Sequence, residues 1–363
     1  MNETGDLFLK DFNPNIMLAS EVHIPMKGRF PVIDAHNHLF RETDPAEMID
    51  EMDRAGIQTF INVTGNTSFS FVESGYTYAQ RDIGVFIDRY MAPYPERFRC
   101  FTMSDFASCQ DGVLMADDRF AEVAAKHLEE DIGRGASGLK VTKELGMHFR
   151  DYHDTVVPVD DARLAPIWEK AGELKVPVLI HTSDPAAFFY PIDRSNEHFL
   201  TLAKAPDWSA YGSHYSKKEL LEQRERLVSR HPHTTFICAH VANYPEDLGF
   251  VSSFLDRNPN VCIDISARID ELGRQPYSAR NFLMTYQDRI LFGTDMPVMA
   301  EIYRSYFRFL ETWDEYFDYP DYVGVYGDSR WGIYGLGLPD EVLKKIYADN
   351  ACRIIPGLGR PEE

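Results

Sequence analysis

Two histidines one residue apart, His36 and His38 in "PVIDAHNHLF", close a run of mostly apolar residues. In an extended segment side chains alternate between faces, so the pair points one way, about 7 Å apart along the strand. Two imidazoles on one side can share a metal ion. Three further polar groups stand in the same relation to apolar runs: His181 ends "VPVLIH", His240 ends "TTFICAH" and Asp295 follows "RILFGT". A lone histidine at a strand end is ordinarily a hydrogen-bonded structural residue. Five such groups in equivalent positions favour a site instead, and four imidazoles with one carboxylate are enough to hold a zinc-type cation. An internal contrast is "RHPHTTF", where His231 and His233 share the spacing but precede a strand, which assigns them to a solvated loop.

The elements that must bring these residues together follow from the alternation of patterns. Apolar, β-branched runs predict strands at 32–36, 58–63, 99–103, 138–142, 177–181, 235–240, 260–265 and 289–294. Amphipathic stretches at 45–55, 119–131, 162–174, 217–229 and 277–287 read as helices between them. Eight strands in a βα rhythm imply parallel crossovers and closure into an α/β, (β/α)8 TIM barrel, with every strand's C-terminal end at one mouth. Residues 31–358 are expected to form that single barrel, with 1–30 as an N-terminal extension and 359–363 as a tail. The longest connections, 183–216 after strand 5 and 296–338 after strand 8, are rich in Tyr, Phe, Trp and Pro and read as loops over the mouth.

Other residues carry two readings each. Lys140, inside strand 4, must be paired or modified, because an isolated buried ammonium is costly; it can bind a substrate carboxylate or partner an acid. Arg268, just beyond strand 7, can fork onto a substrate carboxylate or pair with Asp264, Asp270 or Glu271. Asp184 before Pro185 reads as a turn or helix cap. His127 reads as surface, and His148, His153, His198 and His214 lie in connections where a substrate contact is open but not favoured. Phe188, Phe189, Tyr190, Trp208, Tyr211 and Tyr303 can wall a pocket for a ring. The run "KKELLEQRERL" reads as the exposed side of an outer helix.

Composition narrows the partners. The 363-residue chain carries 57 acidic against 37 basic residues, a net charge of -20. That balance repels phosphate backbones and anionic membrane surfaces, so neither nucleic acid nor membrane is expected as a partner, and a small-molecule substrate is. Cys100, Cys109, Cys238, Cys262 and Cys352 form no C-x-x-C pair and read as reduced thiols. The start of the sequence lacks a cationic stretch followed by an apolar one, which fits a cytoplasmic protein; a secreted or periplasmic location stays open if a signal peptide has been removed. The aromatic segment 316–334 can serve a homodimer contact or a pocket rim.

The fragments "VIDAHNHLF", "PVLIHTSDP", "FICAHVAN" and "LFGTDMP", in that order, resemble the amidohydrolase superfamily, in its amidohydrolase-related branch of aminocarboxymuconate semialdehyde decarboxylase-like hydrolases and decarboxylases. The resemblance implies a barrel of the metal-dependent hydrolase type. It also implies that His36, His38, His181 and Asp295 are ligands of one divalent metal ion, with zinc as the expected metal and two ions if Lys140 is carboxylated. Asp295 and His240 become the catalytic proton carriers, with Lys140 and Arg268 as substrate-binding residues. The activity expected first is hydrolysis, metal-activated water attacking an amide, lactone or ester-like carbonyl of a small carboxylate-bearing substrate. Nonoxidative decarboxylation of an aromatic or unsaturated acid stands second, and a non-catalytic protein with a structural metal stands last.

Overall fold

The computed structural model describes residues 8, 15, 17–72, 75–108, 112–115, 117–319 and 331–359. Eight parallel strands carry the site: β1 (Val32–Asn37), β2 (Ile57–Asn62), β3 (Phe98–Cys100), β4 (Leu139–Val141), β5 (Val178–Ile180), β6 (Phe236–Cys238), β7 (Val261–Asp264) and β8 (Ile290–Leu291). All eight fall within or beside the runs expected from sequence. Strands β1 to β3 form one sheet and β4 to β8 another, each in sequence order. Backbone hydrogen bonds join the two sheets at both seams. At the first, Thr102 N–H donates to Gly138 O (3.0 Å) and Lys140 N–H to Thr102 O (2.7 Å). At the second, Ala35 N–H donates to Phe292 O (3.0 Å) and Asp295 N–H to His36 O (2.9 Å). The chain is therefore a TIM barrel, and its functional mouth lies at the C-terminal ends of these strands.

Two apolar layers hold it together. Ile33, Ala35, Ile61, Leu179, Ile237 and Leu291 pack in one cluster, joined by Ala351 and Ile355 from the C-terminal segment. A larger cluster lies between the strands and the outer helices, which include 45–55, 120–134, 217–230 and 300–311. Helix Pro45–Ala55 begins with Asp44 accepting from Ala46 N–H and ends at Gly56 in a left-handed conformation, so both boundaries follow from capping. Among the described residues, no helix is long and apolar enough to cross a membrane.

Two stretches depart from the expected elements. Residues 300–311, "AEIYRSYFRFLE", were expected within a loop but form a helix; Ile302, Tyr303, Tyr306, Phe309 and Leu310 are buried on one face at helical spacing. Residues 67–72 and 75–80 pair as an antiparallel hairpin, with Phe69 opposite Tyr78. That hairpin carries two aromatic rings to the mouth. Of the aromatic residues expected at a pocket, Tyr190 and Tyr211 are exposed and Tyr303 is buried in the wall. Cys100, Cys238 and Cys262 are free and buried, with burial pushing Cys100 up to about 12 and Cys238 to about 11; Cys109 lies outside the described residues, as does most of the aromatic segment 316–334.

Asp34 fastens the second seam. Its fully buried carboxylate accepts from Asn37 Nδ2 (2.8 Å), Thr294 Oγ1 (3.0 Å), Thr294 N–H (3.2 Å) and the Tyr303 hydroxyl (2.9 Å). An Asp34→Ala variant leaves several buried donors without an acceptor, at about 1–3 kcal/mol each. We expect a loss of roughly 3 kcal/mol or more in denaturant unfolding, and a midpoint within experimental error of wild type would reject this role.

Candidate metal centre

The donors gather where the strands end. His36 and His38 have ring centroids 5.8 Å apart, His36 and His240 5.0 Å, and His181 and His240 4.5 Å. Donor atoms of His36, His38 and Asp295 all lie within 4.8 Å of one another, as do those of His36, His240 and Asp264. Asp295 bridges the two sets: Oδ1 is 3.3 Å from His38 Nε2 and Oδ2 is 3.6 Å from His240 Nε2.

An oxygen behind each of three rings holds the far nitrogen. Nδ1 of His36 meets Asp264 Oδ2 at 2.9 Å, Nδ1 of His38 meets Thr64 Oγ1 at 3.0 Å, and Nδ1 of His240 meets Ser266 O at 2.8 Å. A proton held on Nδ1 leaves the Nε2 lone pair free to bind a cation. Asp264 is itself fixed by Ser266 Oγ (2.5 Å) and the His240 N–H (2.9 Å). Burial raises its pKa, but His36, Ser266 and that N–H outweigh burial and hold the carboxyl below its ordinary value. Burial, with neighbouring positive charge, lowers His38 and His240 well below the ordinary imidazole range, and burial lowers His181. These three rings are neutral near pH 7, the form that binds metal.

Strain is concentrated at the same strand ends. His240, Val241, Ala242 and Asn243 are four consecutive residues in the left-handed region, with φ from 51° to 58°, and Ala267 (50°) and Asp295 (53°) share it. Such conformations cost about 1–2 kcal/mol per residue and persist only where surrounding structure imposes them. Buried cations supply part of that restraint: Arg224 donates to Ala242 O, and Lys217 Nζ donates to Asn243 O (2.6 Å) and Asp184 O (2.5 Å). Both belong to "KKELLEQRERL", so this helix is not simply a solvated face. Its inner side carries two cations because the left-handed turn leaves backbone carbonyls that need donors.

His181 stands beside His240, but its Nε2 faces Ser183 O (3.2 Å) and Asp184 Oδ1 (3.5 Å), outside the two closest donor sets. Asp184 does not cap a helix; it pairs with Lys143 Nζ at 2.6 Å. Burial raises its pKa, and Lys143 and His181 more than offset that, holding it well below the usual carboxylate range. Lys140 is almost fully buried, and its Nζ lies 3.0 Å from His36 Nε2. Burial lowers it to about 8 against the opposing pull of Asp295 and Asp264. Arg268 lines the cavity, while the acid expected as one of its ion-pair partners, Asp264, is engaged by His36. His231 and His233 lie ahead of β6, at the other end of the strand, as expected.

The donor set fits a divalent cation on chemistry as well as placement: neutral imidazoles, a carboxylate, and a fully buried His240 Nε2 with no hydrogen-bond partner among the described residues. A model of the family described as Amidohydrolase matches residues 33–356. The chain belongs to the amidohydrolase family. Solved structures of similar fold include 2,6-dihydroxybenzoate decarboxylase from Rhizobium, at 16% identity over 90% of this chain and 98% of that one, TM-score 0.52. A dihydroxybenzoic acid decarboxylase from Polaromonas sp. JS666, with bound manganese and the inhibitor 2-nitroresorcinol, is 17% identical over 90% and 96% of the two chains, TM-score 0.52. A TIM-barrel protein from Bordetella bronchiseptica is 18% identical over 85% and 80%, TM-score 0.50. No curated protein sequence matches the chain.

The cavity above the amidohydrolase donors has a wall that strand-end reasoning missed. Phe69, on the hairpin, stacks on the His38 ring at 4.8 Å and on Tyr76 at 5.0 Å, and the Tyr76 hydroxyl donates to Glu144 Oε1 at 2.8 Å. The alternation in "TSFSFVESGYTYAQ" carried the signal, a two-residue period on either side of a Ser-Gly. Phe40, Phe188, Trp208, Tyr306 and Tyr319 add to the aromatic lining.

Gly293 sets how close β8 comes to β1. A Cβ there would sit 2.8 Å from His36 Cβ and 3.1 Å from His36 N. Gly293→Ala must therefore push His36 or the strand aside, an overpacking cost of about 1–3 kcal/mol. The expected result is a folded protein whose bound-metal content falls well below that of wild type; an unchanged content would show that the close approach is not needed.

Proposed function

We propose that this amidohydrolase is a divalent-metal-dependent lyase that removes the carboxyl group of a small aromatic or unsaturated acid without oxidation. The observation carrying the reading is the single cavity in which buried cations, Lys140 and Arg268, meet the His/Asp donors beneath a wall of aromatic rings. The names of the two decarboxylases of similar fold, both acting on ring-bearing acids, support it. Hydrolysis, the first expectation from sequence, becomes the second reading. It is kept because Asp295 touches both His38 and His240, an arrangement that also suits taking a proton from water.

His36, His38, His181 and Asp295 would hold the metal. Imidazole and carboxylate donors suit Zn²⁺ and Mn²⁺ alike. The bound cation supplies positive charge that orients the acid's oxygens and stabilises negative charge as it develops. The rest falls to side chains. Arg268 and Lys140 orient the carboxylate, and the aromatic wall excludes water from it, which favours neutral carbon dioxide over the anion. As the C–C bond breaks, its electron pair stays on the substrate carbon, and a proton taken up from solvent and relayed through Asp295, beside His240 Nε2, completes the new C–H bond. Atoms and charge balance, since a carboxylate and a proton become carbon dioxide and a hydrocarbon position.

Product analysis in ¹⁸O-labelled water separates the readings. The lyase releases one carbon dioxide per turnover and places no solvent oxygen at the cleaved bond. Label at that bond without carbon dioxide would replace decarboxylation with hydrolysis.

A further inference from the structure

A second polar group of residues lines the same cavity outside the His/Asp donors. His198, Asp270 and Glu271 have donor atoms within 4.8 Å of one another. His198 and Glu271 are 8% and 3% exposed, and neither His198 Nε2 nor Glu271 Oε2 has a hydrogen-bond partner among the described residues. Buried polar atoms are nearly always satisfied, so two such atoms facing one cavity point to a ligand group that completes them. Their positions are fixed. The His198 ring is held edge-on by Phe188 (centroids 5.5 Å) and Trp331 (6.0 Å), and the His198 backbone N–H donates to Asn196 Oδ1 (2.9 Å). Asp270 accepts from the Tyr319 hydroxyl at 3.4 Å.

We propose that His198 and Glu271 form a specificity subsite that receives a hydroxyl group of the substrate, one carried on the ring or chain that bears its carboxylate. The inference rests on the decarboxylase reading for the carboxylate end and adds the second polar group. A hydroxyl can donate to one orphan atom and accept from the other, which neither a methyl group nor a bare ring edge can do. Charge supports a neutral group. Burial and the adjacent Asp270 raise Glu271 well above the usual carboxylate range, and burial lowers His198, so the site disfavours charge on both. A second metal ion is disfavoured because Arg268 and Arg274 both act on this group, Arg274 lying over the Trp331 ring at 4.1 Å and donating to Glu197 at 2.8 Å.

Binding of benzoate, 3-hydroxybenzoate and 4-hydroxybenzoate to the metal-loaded full-length protein tests this by calorimetry. At least one hydroxybenzoate should bind about tenfold tighter than benzoate, the effect of one well-made hydrogen bond in a buried site. In Glu271→Leu and His198→Phe, checked for folding by circular dichroism, that ratio should fall to about twofold or less. Equal affinities for the three acids in the wild type overturn the subsite while leaving the decarboxylase reading in place, and this comparison stands even if a variant fails to fold. A ratio that persists in both folded variants also overturns it, as does a second bound metal ion per chain that Glu271→Gln removes. If none of the three acids binds, the aromatic-acid reading falls and the subsite falls with it.

Discussion

Asp295→Asn is expected to lower kcat by about 10³-fold or more on whichever aromatic acid the wild type turns over fastest, with the far-ultraviolet circular dichroism unchanged. The carboxylate is placed to do two things. It lies within the donor set of His36 and His38, and it reaches both His38 Nε2 and His240 Nε2. A positioned proton carrier contributes about 10²–10⁴ in rate, and weaker cation binding adds to that loss. Asparagine keeps the size and the backbone hydrogen bond from Asp295 N–H to His36 O, so the seam between β8 and β1 survives. A variant retaining more than a tenth of wild-type kcat would remove Asp295 from the chemistry.

Arg268→Met is expected to raise KM by about 10²-fold or more. Arg268 is 5% exposed and lines the cavity; removing one partner of a desolvated, hydrogen-bonded charge pair costs about 2–5 kcal/mol. Arg268→Lys should recover only part of the loss, because an ammonium replaces a planar fork by a point charge. KM unchanged in both variants would assign the guanidinium to the wall of the cavity. Calorimetry with the intact acid and its methyl ester gives the same answer without turnover: wild type should prefer the acid, and Arg268→Met should lose most of that preference.

The barrel was legible because its strands are buried runs of Val, Ile, Leu and Phe with a polar residue at one end, and that polarity is the geometry of the mouth written along the chain. His36, His38, His240 and Asp295 could be picked out for the same reason. What stayed hidden depends on contacts that no local pattern records. Asp264 shares strand parity with Ser266, yet only the assembled barrel puts it 2.9 Å from His36 Nδ1. Arg224 sits in a run of charges and is buried because the left-handed turn at 240–243 needs donors for its carbonyls. The helix at 300–311 and the hairpin at 67–80 do carry periodic patterns, of 3.6 and 2 residues respectively, the first of them inside a stretch whose composition reads as a loop. His198 stood out only as one of four loop histidines open to a substrate contact, since its neighbours Asp270 and Glu271 lie more than seventy positions away.

The most direct measurement is metal content per chain of purified protein by inductively coupled plasma mass spectrometry, taken alongside His36→Ala. One divalent ion per wild-type chain, and little or none in the variant, is the result expected from imidazoles and a carboxylate converging on one point. Two ions in the wild type, both retained in Glu271→Gln, would make Lys140 a bridging group, beside His36 Nε2 where it already lies. Wild-type protein that turns over its substrate at full rate with no divalent metal bound would contradict the central claim.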